Sequence, residues 1–253
     1  MKIISIINHK GGVGKTMTTL NLGAALALKK KRVLLVDFDP QCNLTDHCGI
    51  TPDSETKTIS DYLYDDELPI VPIELSKNLH LLPSAETLDQ DSINMGAMED
   101  TKAAIVLLKE ILDRVGEGYD YILIDCAPGS GMLMLNSVAA SNEMIIPIWG
   151  KDSLKGVTKI SNIMKANNFS IKARYLLTIY DNRLSVDREI KDYLISSCPE
   201  LVFHTIIRRN AALDQAACNN MNVFQYAPKS NGALDYMSLA QEISGTRRKN
   251  LIL

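Results

Sequence analysis

The residue types best suited to chemistry lie near the start of the chain, in Ile4-Ser-Ile-Ile-Asn-His-Lys-Gly-Gly-Val-Gly-Lys-Thr16. An apolar run of strand type ends in a glycine-rich turn, and a Lys-Thr pair follows where a helical pattern begins at Leu20, Leu22 and Leu26. Such a stretch is a phosphate cradle. Gly11, Gly12 and Gly14 let successive backbone N–H groups turn toward an anion, Val13 lies between them, and the following helix adds its positive end. Lys15 is placed to reach the β- and γ-phosphates of a nucleotide, and the Thr16 hydroxyl to hold a magnesium ion. Where the general phosphate-loop pattern has glycine this chain has His9, and a second lysine, Lys10, follows at once. A solvated turn between strand and helix would not need so specific a pattern, so nucleotide binding is the working expectation.

Two further strand ends deliver carboxylates. Arg32-Val-Leu-Leu-Val-Asp37 is a short apolar run typical of a buried parallel strand, and it ends in Asp37-Phe38-Asp39-Pro40-Gln41. Tyr119 to Asp125 is another such strand, followed by Cys-Ala-Pro-Gly-Ser-Gly131. Parallel α/β sheets place their ligands at the C-terminal ends of strands. Asp125 has the setting of a Walker B aspartate, holding magnesium through water, and its glycine-containing loop is free to follow the γ-phosphate. Helix capping or turn formation is the alternative role for Asp37, Asp39 and Asp125.

The elements needed to position these groups alternate along the chain. The spacing predicts a helix over 15–30 ending in the basic turn Lys29-Lys30-Lys31, and a further helix over 98–115. Strands are predicted over 143–148 and 173–179, and an extended stretch over 201–207. Trp149 to Lys155 reads as a loop leading into a helix over 156–166. Further helices are expected near Leu133, over 186–196, after Asn210 and over 232–243. Residues 46–100 are less regular and acidic, with a short helix at 59–64 and a strand at 78–82. The alternation predicts an α/β fold with a doubly wound, mostly parallel sheet flanked by helices. Residues 1–253 then form a single domain, with 46–100 as an embellishment and 245–253 as a basic tail.

Composition excludes other classes. The 253 residues are 46% hydrophobic and 23% charged, ample for a large core. No apolar run approaches the ~20 residues of a membrane span, and Met1-Lys2 leads straight into the first strand, so a cytoplasmic protein is expected. The five cysteines (42, 48, 126, 198 and 218) lack Cys-x-x-Cys spacing, which points to reduced, mostly buried thiols; Cys42 and Cys126 read as small space-filling residues. Net charge is −3, but residues 170–253 hold 11 Lys+Arg against 8 Asp+Glu, so any nucleic-acid surface is expected in the C-terminal third.

Several blocks together resemble the ParA/MinD group of deviant Walker P-loop ATPases, and the ParA partition type most. They are Lys10-Gly-Gly-Val-Gly-Lys-Thr16, Val36-Asp-Phe-Asp-Pro-Gln41 with Asn43 and Thr45, Ile122 to Asp125 with Pro128, Thr205 to Asn210 with Ala216, and Tyr226 to Ala233. The resemblance implies ATP and Mg2+ as cofactors. It makes Lys10 the signature lysine that reaches the partner's nucleotide in an ATP-bound homodimer, with Lys15 and Asp39 beside it as catalytic residues; Asp39 positions the attacking water. Asp37 joins Thr16 and Asp125 near the metal, and Asn210 and Pro228 lie near the base. A lysine supplied in trans would make hydrolysis depend on dimerisation, so a slow switch stimulated by a ParB-like adaptor or centromere-binding activator is expected. The resemblance further implies nucleoid association through non-specific DNA, with Arg183, Arg208, Arg209, Lys229, Arg247, Arg248 and Lys249 as candidate contacts.

Three departures from the family pattern stand out. Met17 replaces a second hydroxyl residue, leaving its backbone N–H for the phosphates; Arg208 replaces a proline; and Trp149-Gly-Lys-Asp152 replaces an acidic-aromatic loop. A MinD-like membrane-surface switch is the competing expectation, but Arg247 to Leu253 is too short an amphipathic end to bury much area. An iron–sulfur carrier would need a second suitable cysteine beside Cys126. A small-molecule kinase or amide ligase would have no use for Lys10.

Overall fold

The computed structural model describes residues 1–115, 118–129 and 131–245. At its centre is a seven-stranded sheet of β1 (Lys2–Ile6), β2 (Val33–Phe38), β3 (Ile73–Ser76), β4 (Leu79–Leu82), β5 (Tyr121–Cys126), β6 (Glu143–Ile148) and β7 (Lys172–Leu177). The strand order is β3-β4-β2-β5-β1-β6-β7, and only the edge pair β3–β4 is antiparallel. Helices cover both faces, giving the doubly wound α/β architecture that the alternating pattern predicts.

Successive strand residues feed two cores. Ile4, Ile6, Leu35 and Leu123 pack with α1 (Lys15–Leu28), α2 (Asn43–His47), α9 (Ala211–Cys218), α10 (Val223–Tyr226) and α11 (Asn231–Ile243). Ile3, Val36, Ile122 and Ile124 face the other way, toward α3 (Ile59–Tyr62), α4 (Leu88–Gly96), α5 (Thr101–Val115), α6 (Met132–Ala139), α7 (Lys151–Ala166) and α8 (Ser185–Ser197). Each fully buried Leu or Ile contributes about 1.5–3 kcal/mol to this arrangement. Helix α1 lies deepest, with eleven of its fourteen residues buried. Gly23 lets it approach the sheet so closely, since a methyl group there would stand 2.5 Å from Leu35 Cδ2.

Helices α1 and α6 follow neighbouring strands β1 and β5 yet lie on opposite faces, which opens a crevice at the C-terminal strand ends. Register aligns the groups around it. Ile6 pairs with Asp125 across β1–β5, and Asp37 with Asp125 across β2–β5, so the cradle and two carboxylates share one row.

Some expectations needed tertiary correction. Helix α1 ends at Leu28, and Lys30 takes a left-handed φ of 63°, so the three lysines follow the helix instead of forming its last turn. Residues 201–207 form no strand of their own. They run beside β7, with bridges at Tyr175–Val202 and Tyr180–Arg208 and backbone bonds from Phe203 to Tyr175 and from Ile207 to Leu177. Helix α7 starts at Lys151, several residues earlier than its apolar spacing indicates, because Gly150 at φ 69° turns the chain directly after β6. The cysteines are all free, but only Cys126 is fully buried, and Cys218 is exposed. Segment 46–100 supplies α3, α4 and the β3–β4 edge. The short α2, α4 and α10 and strand β3 carry too little periodicity to be read from sequence.

Candidate nucleotide site

The glycine-rich turn wraps the N-terminus of α1. Gly14 caps the helix at φ 86° and Gly12 takes φ 72°, both left-handed, whereas Gly11 needs no such conformation. The turn is held from outside its own sequence: Thr178 Oγ1, just after β7, donates to Val13 O at 2.8 Å, and Gly129 N, after β5, donates to His9 O at 3.3 Å. Lys15 is 7% exposed and its ammonium donates to the carbonyl of Lys10 at 3.4 Å, so the cation already lies within the loop.

Asn8 lies outside the phosphate-loop motif yet holds it in place. Completely buried, it accepts the N–H of Lys10 at 3.0 Å and donates to Pro147 O at 2.8 Å and, more weakly, to Ser153 O at 3.4 Å. It thereby ties the cradle to the end of β6 and the start of α7. Gly156 makes room for it, as a methyl group there would come within 2.2 Å of Asn8 Oδ1. The only sequence signal for it is an amide immediately before His9-Lys10, which spacing rules do not weigh.

The carboxylates divide their work. Asp39 lines the cavity above the cradle, with one oxygen accepting from Gln41 N at 3.0 Å. Asp37, like Asp125, is not among the residues that line that cavity. Its Oδ2 accepts from both Thr45 N (2.8 Å) and Thr45 Oγ1 (2.7 Å), and its Oδ1 from Asp39 N (3.3 Å), so it anchors α2 and the Asp39 turn. Burial lifts its pKa to about 7 against the pull of the Thr45 bonds. Asp125 is buried, with Oδ1 3.5 Å from Thr19 Oγ1 and Oδ2 without a hydrogen-bond partner among the described residues. Burial and then the Asp37 charge raise its pKa well above the ordinary range, partly offset by Thr16 and Lys15. An orphaned buried carboxylate oxygen near a threonine hydroxyl is a donor set that fits a hard divalent cation.

The cavity, about 390 Å³, runs from Gly11–Met17 past Asp39 and Pro128 to Thr178 and the 207–214 segment, closed by Tyr236. Tyr236 OH meets Thr18 Oγ1 at 3.3 Å. Asn210 lines the far end, but its side chain caps α9 by accepting from Ala212 N. Pro228, in the turn before α11, is not among the lining residues. His47 joins the lining from α2, and burial holds its pKa below the ordinary value.

The remaining candidates scatter. Lys10 lies beside the cradle with Nζ 3.5 Å from Trp149 O and 5.2 Å from the centre of the indole ring. Arg208 is engaged by Asp235 through its backbone N–H and its guanidinium, at distances down to 2.6 Å. Arg183 pairs in the same way with Asp181. Arg209 and Lys229 are exposed, while Arg247, Arg248 and Lys249 lie outside the described residues.

A cradle, a buried lysine, strand-end carboxylates and an elongated cavity lie together at the C-terminal ends of the strands, and comparison with known proteins gives the lineage of the chain. A family model described as an AAA domain matches residues 1–175. The sporulation initiation inhibitor protein Soj of Bacillus subtilis is 36% identical over 251 residues, covering 96% of this chain and 98% of the relative. The chain belongs to the ParA/MinD family of P-loop ATPases. A second family member, the chromosome-partitioning ATPase Soj of Treponema pallidum, is 34% identical over 96% of both chains. Among solved structures, a Mycobacterium smegmatis cobyrinic acid a,c-diamide synthase with an ATP analogue and magnesium superposes with TM-score 0.79 at 27% identity, covering 98% of this chain and 97% of that one. A Cyanothece McdA variant with ATP has the same fold at TM-score 0.85 and 21% identity, covering 100% and 99%. Within the ParA/MinD frame, Arg208 clasps Asp235 on α11 where the family pattern has proline. Among the described residues no helix is long and apolar enough to cross a membrane.

Proposed function

We propose that this ParA-type ATPase is a switch that binds Mg2+-ATP, forms a homodimer, attaches to non-specific DNA in that state, and releases it after a ParB-like adaptor or centromere-binding partner stimulates hydrolysis. The observation that carries the reading is the pairing of a complete cradle around Lys15 with a second lysine, Lys10, held outside it. A lone nucleotide-binding site would have no use for the second cation. The relatives named for chromosome partitioning support segregation of plasmid or chromosome DNA, or positioning of another cargo.

In this scheme the backbone N–H groups of residues 11–17 and the ammonium of Lys15 bind the phosphates, and α1 directs its positive end at them. Thr16 and Asp125 would hold Mg2+, Asp125 through water, and Asp37 keeps the carboxylate row in place. The ion would neutralise charge on the β- and γ-phosphates. Asp39, at the cavity wall, orients the attacking water. Lys10 from the second protomer stabilises charge developing on the γ-phosphate, so a monomer hydrolyses slowly.

Attachment to DNA would be electrostatic and would double on dimerisation. Arg209 and Lys229 are better placed for it than Arg183 and Arg208, whose charges are already matched by Asp181 and Asp235. The deciding experiment measures binding to non-specific duplex DNA at low and moderate salt, with ATP, with ADP and with no nucleotide. Binding only with ATP, weakening steeply with salt, is the expected result. No binding in any state, with ATP affinity intact, would overturn it in favour of a membrane-surface switch, which liposomes would then reveal. Lys10→Ala should abolish stimulated hydrolysis while ATP still binds.

A further inference from the structure

Trp149 is the only tryptophan of the chain, and it stands where the family pattern has an acidic-aromatic loop. Its surroundings are organised around Lys10. The Lys10 ammonium lies 3.5 Å from the Trp149 carbonyl and 5.2 Å from the indole centre. Asn8 fixes the Lys10 backbone, and both Asn8 and Trp149 are tied to Ser153: Asn8 Nδ2 donates to its carbonyl, and its hydroxyl accepts from Trp149 N at 3.1 Å. Gly150, at a positive φ of 69°, turns the chain past the ammonium, and a methyl group there would meet Nζ at an ordinary contact distance of 3.6 Å. Arg209, in the segment that lines the far end of the nucleotide cavity, stands 6.0 Å from the same indole centre.

We propose that Trp149 is a positioning residue that holds Lys10 beside its own protomer's cradle until a partner protomer's nucleotide takes the lysine over. This rests on the reading of Lys10 as a lysine used in trans. An aromatic face and a carbonyl together satisfy an ammonium that would otherwise be free to sample the cradle or solvent. The parked lysine is a competing state, so dimerisation has to displace it, and the apparent dimer affinity is lowered by the fraction parked. Arg209 at the same ring gives nucleotide entry a route to the clasp, because ATP filling the cavity contacts the 207–210 segment. A cation–π contact at a partly exposed site shifts an equilibrium by roughly two- to fivefold, and two protomers contribute to each dimer, so loss of the indole should tighten ATP-dependent dimerisation about tenfold.

The single tryptophan makes the clasp directly observable. Fluorescence emission of the nucleotide-free protein is compared with that of Lys10→Met, with thermal melting to confirm folding. Different emission from the two is expected; identical intensity and wavelength would overturn the proposal. Adding Mg2+-ATP should move the wild-type emission to that of Lys10→Met as dimer forms in sedimentation. If the wild type does not dimerise, the trans-lysine reading fails and the handover with it, while the nucleotide-free pair still decides whether the clasp exists. Where dimerisation occurs, Trp149→Leu should reach its midpoint at about one-tenth the protein concentration, and Trp149→Phe, which keeps an aromatic face, within about twofold of wild type. An unchanged or weakened midpoint for Trp149→Leu overturns the proposal.

Discussion

Substitution of Gly156 by alanine tests whether the cradle is braced by α7. In an exposed helix interior, Gly→Ala stabilises by about 1 kcal/mol. Here the new methyl group would stand 2.2 Å from Asn8 Oδ1 and 3.2 Å from its Cγ, and Asn8 is fully buried with partners at Lys10, Pro147 and Ser153. The clash pushes α7 outward and turns Asn8, which abandons its bonds. Overpacking costs about 1–3 kcal/mol, and an abandoned buried amide about 1–3 kcal/mol more. Set against the helix gain, Gly156→Ala should lose about 1–5 kcal/mol of unfolding free energy and weaken ATP binding, since Lys10 and the cradle shift with Asn8. Urea titration of the wild type, Gly156→Ala, Asn8→Ala and the double variant forms a cycle. With Asn8 truncated the obstruction is gone, and alanine at 156 should become neutral or stabilising. A Gly156→Ala protein as stable as wild type, or a penalty that persists in the Asn8→Ala background, would refute the bracing.

Glu242 on α11 accepts from His204 N, Thr205 N, Thr205 Oγ1 and Arg174, and although burial alone would raise it, these bonds bring its pKa below the ordinary 4.5. Folding therefore favours the ionised form: the contribution is present above pH 4.5 and lost as pH falls through the depressed value. Glu242→Gln should cost about 1–3 kcal/mol at pH 7, with the gap to wild type narrowing in acid denaturation series. Arg208→Ala should lower stability by about 1 kcal/mol, since the mostly buried Asp235 carboxylate loses the guanidinium and keeps only the backbone N–H of residue 208, whereas Arg209→Ala should leave melting unchanged and reduce the salt slope of DNA binding by about one. Equal effects of the two on melting would contradict this division. Thr178→Val removes the bond to Val13 O and should weaken ATP affinity about fivefold with about 1 kcal/mol of stability lost, measured by calorimetry and urea titration.

The chemistry of the cradle was legible in the sequence because it depends on local properties. Gly12 and Gly14 are needed for left-handed φ angles within one turn, Lys15 and Thr16 follow from the helix start, and the apolar runs ending in Asp37 and Asp125 announce buried parallel strands. The continuous apolar runs of β2 and β5, buried on both faces, and their alternation with helical segments likewise make the doubly wound sheet readable. What the chain's order does not contain is which distant groups meet. Thr178 bonding Val13, Asn8 fitting against Gly156, Arg208 closing on Asp235 and Lys10 resting at Trp149 each join segments 27 to 165 residues apart. Asp37 shows the same limit: the resemblance implies a place near the metal, whereas the bonds that its oxygens accept from Thr45 and Asp39 are visible only in the fold. Local conformational preference is written residue by residue, but the pairing of buried polar groups is set by where the packed sheet and helices bring them, and only the tertiary structure decides that.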